Sequence, residues 1–108
     1  MGSLQYPWWS YVQSMIRKYP ARMRRYDNLK RVERMEVDAV RAAMDRTLLK
    51  EDGKERLRLI RRFYWELYGK KTMAGLAMEL YISRATAFRW SAEFVELVAE
   101  CFGIYDPE

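Results

Sequence analysis

The chain has 108 residues, half of them hydrophobic, with 20 Lys and Arg against 15 Asp and Glu and a formal charge of +5. That length favours a single domain over residues 1–108. No His and one Cys exclude imidazole acid–base catalysis, a multi-cysteine zinc site and an intrachain disulfide. The lone Cys fits a reducing cytoplasm. No apolar run approaches the ~20 residues that cross a bilayer, so no membrane partner is expected. The N-terminus lacks the basic-then-apolar order of a signal peptide. Neither a Gly-rich phosphate loop, a metal set nor an activated nucleophile is evident, so no enzyme, metal or cofactor is expected. Glu51, Asp52 and Glu55 cluster, but beside Lys50 and Lys54, and read as solvated. The basic balance suits a polyanionic partner.

Val, Ile and Thr never alternate with polar residues, and Gly and Pro are sparse. The spacing predicts an all-α fold of about five helices. Pro7 can open a first helix and Pro20 should stop it. Between them Trp9, Val12, Ile16 and Tyr19 recur at steps of three and four, with Trp8, Tyr11 and Met15 alongside. This is a wide aromatic face for the core or for a docking partner. Residues 17–34 follow, with eight basic side chains against Asp27 and Glu33. Arg22, Arg24, Arg25, Lys30 and Arg31 are candidate contacts to phosphate or to a second protein. A helix is expected from about Leu29 to Leu48, on Val32, Met35, Ala39, Ala42 or Ala43, and Arg46. Residues 50–55 read as a loop that ends the N-terminal part, 7–54. The C-terminal part, 55–108, opens on a helix from Glu55 to Tyr68 with the stripe Leu57, Ile60, Tyr64 and Leu67, and Phe63 beside it. Gly69 is a plausible stop.

Residues 70–102 carry the most specific pattern. Thr72 can cap a helix over Met73–Tyr81, because its hydroxyl accepts from an otherwise unpaired backbone N–H. Ser83 repeats the signal just after Ile82. Two caps so close together predict two helices joined by a tight turn, the helix-turn-helix of DNA-binding proteins. Ala77 fits the close crossing of the two helices, Leu80 and Ile82 flank the turn, and Trp90 closes the core. Tyr81 stands where the motif usually has Gly, which puts the turn geometry in question. The second helix should present Arg84, Ala85 and Arg89 to a major groove, since Arg pairs with guanine and Ala meets a thymine methyl. Thr86 and Phe88 border that surface with Ser83. Lys70, Lys71 and Thr72 are candidate phosphate contacts at a helix start.

The second helix runs on to Phe102, 20 residues from Ser83 and about 30 Å long. Glu93, Glu96 and Glu100 would be repelled by phosphate, so its later half should face away from DNA. Two apolar stripes run along it. Ala87, Trp90, Phe94, Leu97 and Cys101 form one; Phe88, Ala92, Val95, Ala99 and Phe102 form the other. One belongs to the core, with Cys101 as a small buried hydrophobe. The other packs on the N-terminal Trp helix or forms a homodimer seam.

The order of these parts resembles a known family. "WSYVQSMIRKYP", then "AVRAAM", "LIRRFYW" and "GLAMELYISRATAFRW" are similar to the small phage and prophage late-gene transcription regulators of the RinA and ArpU type. The resemblance spans most of the chain. It implies a regulator, often an activator of late genes, in the bacterial cytoplasm at the nucleoid. It also implies a C-terminal half like the fourth conserved region of bacterial sigma factors. Double-stranded DNA would be its first partner and RNA polymerase its second, met by residues 17–34 or the Trp8/Trp9 helix. Two other readings stay open: a packaging subunit like a small terminase component, which assembles as a ring, and a polymerase-docking module that binds no DNA.

Overall fold

The structure is a computed structural model that describes residues 6–107. Those residues form five α-helices and no strand: α1 (Trp9–Met23), α2 (Arg31–Leu48), α3 (Gly53–Arg61), α4 (Met73–Glu79) and α5 (Arg84–Phe102). A short 3-10 turn, Tyr26–Asn28, joins α1 to α2, and a π-helical turn, Arg62–Glu66, prolongs α3. The all-α expectation of about five helices agrees with this. No helix among the described residues is long and apolar enough to cross a membrane.

α1 buries Val12, Met15 and Ile16 on one face. It does not stop at Pro20, as expected, but continues to Met23 with Pro20 inside it. Proline removes one donor, the N–H that would meet the carbonyl four residues back. That carbonyl, of Ile16, instead accepts the indole N–H of Trp65 at 2.6 Å. With the orphan acceptor satisfied from outside, the helix passes through.

α2 starts on a bond from the Lys30 backbone N–H to the Glu33 carboxylate, 3.0 Å, which satisfies a donor at the helix end. Val37, Val40 and Ala43 are fully buried. α3 begins at Gly53, within the stretch expected to be loop. A Cβ on Gly53 would lie 2.6 Å from the Thr47 carbonyl oxygen and 2.7 Å from that of Leu48. Only glycine lets α3 start this close to the end of α2.

The π-helical turn splits the stripe expected on this helix. Its bond runs from the Leu67 N–H to the Arg62 carbonyl, 2.8 Å, so one extra residue rotates the chain beyond it. Leu57, Ile60 and Tyr64 join the large core, whereas Leu67 packs on a second, smaller cluster.

The large cluster gathers Val12, Met15 and Ile16 of α1, Ala39, Val40 and Ala43 of α2, and Phe94, Val95, Val98 and Ala99 of α5. The smaller one holds Leu59, Met73, Leu76, Ala77, Ala87 and Trp90. α5 therefore threads both, and its two apolar stripes each supply core residues. Val95 and Ala99 of the second stripe are buried within the chain, while Phe88 at its start is 48% exposed.

Candidate nucleic-acid interface

The α4–α5 pair is built by two caps and one turn. The Thr72 hydroxyl accepts the Gly75 N–H at 3.0 Å, and the Ser83 hydroxyl accepts the Thr86 N–H at 3.0 Å. Ser83 also donates to the Thr86 hydroxyl at 2.8 Å. Between the caps, the Ile82 N–H reaches the Ala77 carbonyl at 3.0 Å and the Tyr81 N–H reaches that of Met78 at 3.2 Å. These two bonds close a helix around a left-handed residue just past its end. That residue is Tyr81, with φ +59°. The turn keeps the dihedral that glycine normally supplies, at a cost of about 1–2 kcal/mol for an L-residue. The Tyr81 ring is 95% exposed, so no packing offsets the strain. Ala77 is buried at the helix crossing, and Leu80 and Ile82 lie half-buried over the cluster that Trp90 closes.

Arg84, Ala85, Phe88 and Arg89 are all exposed. At 3.6 residues per turn they share one face over the first two turns of α5; Ala87 and Trp90 hold the opposite face in the core. Arg84 makes no ion pair or side-chain hydrogen bond among the described residues. Arg89 has only a loose pairing to Glu93, 3.9 Å. Glu93 is bound more closely by Arg56, at 2.7 Å, and the Arg56 guanidinium also lies 5.3 Å over the Trp90 ring. Ser83 and Thr86 are engaged in capping. Lys70 is exposed, while Lys71 pairs with Glu79 at 3.0 Å.

Glu79 also receives Arg62, which ties α4 to the π-helical turn. The Lys71 ammonium, and then the Arg62 guanidinium, hold the Glu79 carboxyl below the usual carboxylate range. Further along α5, Glu100 pairs with Arg46 of α2 at 3.2 Å. Burial, then the charge of Glu93, push the Glu96 carboxyl upward. The acids of α5 thus meet cations of the scaffold or sink into it, beyond the two exposed turns.

The basic run 17–34 divides. Arg22 is only 13% exposed at its side chain and is bound to the buried Glu36, which also accepts the Tyr11 hydroxyl. Burial, then that hydrogen bond, push the Tyr11 phenol up to about 12. Arg22 therefore joins α1 to α2 and is not offered to a partner. Arg34 clasps the preceding turn through the carbonyls of Tyr26 and Asp27. Arg24, Arg25, Lys30 and Arg31 are exposed, and Arg24, Arg25 and Arg31 form no ion pair among the described residues. Sequence reasoning placed Arg17 and Lys18 in the basic run 17–34 but did not bring Tyr68 to them. The Arg17 guanidinium lies 5.3 Å over the Tyr68 ring, a pairing between residues too far apart in the chain for any local period to reveal. No family model, curated protein or solved structure matches the chain at a significant level.

Proposed function

We propose that the chain is a sequence-specific DNA-binding regulator of transcription. Arg84, Ala85 and Arg89 read base edges in the major groove; Lys70, Arg25, Lys30 and Arg31 hold phosphates. The observation that carries this reading is Arg84, unpaired and exposed on the first turn of a capped helix whose other face is locked into the core. An arginine there is free to make a bidentate bond to guanine, worth about 1–3 kcal/mol of discrimination. Glu93 and Glu100 of α5, repelled by phosphate, lie beyond the exposed turns and are taken up by scaffold cations. The resemblance to RinA- and ArpU-type late-gene regulators adds bacterial RNA polymerase as the second partner.

Selection of bound duplexes from a random pool tests the reading. The expected result is one recovered motif, bound with an affinity that falls steeply with salt. Retention of no duplex at low ionic strength overturns it. Light scattering separates the packaging alternative: a monomer or dimer agrees with a regulator, a closed ring with packaging.

A further inference from the structure

Resting on that reading, we propose that the groove between α1 and the π-helical turn is a second phosphate-binding surface, which holds the backbone of the same duplex. The groove has a volume of about 470 Å³, and Arg17, Lys18, Pro20, Arg24, Trp65 and Tyr68 are among its lining residues. Three of these six are cations and no acid lines the groove. None of the three forms an ion pair among the described residues, whereas Arg22, between them in sequence, is neutralised by Glu36. An open concavity with uncompensated positive charge favours a polyanion.

Arg17 makes the ligand chemistry more specific. Its guanidinium rests on the Tyr68 ring, 5.3 Å from the centroid. The cation–π contact holds the guanidinium at the ring, and its N–H groups have no hydrogen-bond acceptor among the described residues. A planar fork held this way is pre-organised for two oxygens of one phosphate. Lys18 and Arg24 are exposed and supply point charge around it. Tyr68 is followed two residues later by the exposed Lys70, so positive charge continues from the groove toward α4. The molecule is 39 Å in its longest dimension, or about 11 base pairs at ~3.4 Å each. A duplex engaged by α5 and somewhat longer than that can therefore extend beyond the protein. The groove contacts backbone alone, so it adds affinity and salt dependence without sequence preference.

The test uses the intact chain, the Lys18→Gln/Arg24→Gln double variant, and a triple variant that adds Arg17→Gln. Each is titrated with a duplex of about 10 base pairs and one of about 24, both centred on the selected motif, against ~3.4 Å of axis per pair. The triple variant should bind the long duplex roughly tenfold or more weakly, with the slope of log K against log salt reduced by about 2–3. The short duplex and the base preference should be unchanged. The double variant touches only exposed side chains; it should show a smaller loss of the same kind and keeps the test valid if the triple variant folds poorly. Wild-type binding by both variants to both duplexes, with the base preference intact, overturns the groove assignment alone and leaves an acidic protein surface as the groove's occupant. Failure of the wild type to bind any duplex removes both readings.

Discussion

The two ends of α5 are one helix in two environments. Over its first two turns, Ala87 and Trp90 enter the small cluster while Arg84, Ala85, Phe88 and Arg89 face solvent. From Phe94 to Ala99 it is buried against α1 and α2; the flanking Glu93 and Glu100 pair with Arg56 and Arg46, and burial pushes the Glu96 carboxyl upward. The anchor half is mostly apolar, with two of the helix's three carboxylates paired to scaffold cations; the leading half is open and cationic. One rigid element thus transmits the precision of the large core to a surface that contributes little to that core.

The comparison can be broken most forcefully at the anchor. Phe94→Ala removes a side chain 2% exposed and should cost about 3–5 kcal/mol, read as a fall in the denaturant midpoint. Arg84→Ala, at the leading end, should leave that midpoint unchanged. It should instead lose about 1–3 kcal/mol of discrimination at one base position, read in competition bandshifts against the selected motif. If Arg84→Ala destabilises the fold or leaves the preference intact, the division of labour along α5 is wrong.

A smaller effect comes from the helix ends. α4 and α5 both close on a left-handed residue, Tyr81 with φ +59° and Gly103 with φ +95°. Tyr81→Gly should raise stability by up to about 1 kcal/mol, the relief of left-handed strain less the entropy glycine loses on folding. A thermal melt that falls instead would show that the exposed ring stabilises the turn.

The mildest perturbation is pH, and it acts on two separate contacts, one at each end of the pH scale. Glu79 has its folded pKa depressed by Lys71 and Arg62. Its stabilising contribution is complete above the ordinary carboxylate range and is lost as pH falls through the lowered value. Tyr11 has its folded pKa raised from 10.0 to about 12. Its contribution is complete below 10.0 and is lost as pH rises toward about 12. Amide exchange should therefore quicken first in α4 under acid and first at the α1–α2 contact under alkali. Glu79→Gln should flatten the acid limb, and Tyr11→Phe the alkaline one.

Much of the fold was legible because its signals are local. Helical periods mark all five helices, and the hydroxyls of Thr72 and Ser83 mark two starts to the residue. Tyr81 posed the right question: the bonds from Tyr81 and Ile82 into α4 impose a positive φ whatever the side chain. What was not legible depends on partners distant in sequence. Pro20 reads as a stop unless Trp65 is known to satisfy Ile16. Arg22 reads as a free cation unless Glu36 is known to face it. The π-helical turn has no period of its own, so Leu67 seemed to continue a stripe that it leaves. In the candidate site, the exposed face of α5 follows from helical spacing, whereas the meeting of Arg17 and Tyr68 required the folded chain.

The proline in α1 has a consequence for shape. An indole that reaches one bare carbonyl at 2.6 Å ties α1 to the π-helical turn at close range. Pro20 and Trp65 also line the groove between them. Its width is thereby set like the jaw of a clamp at a fixed stop.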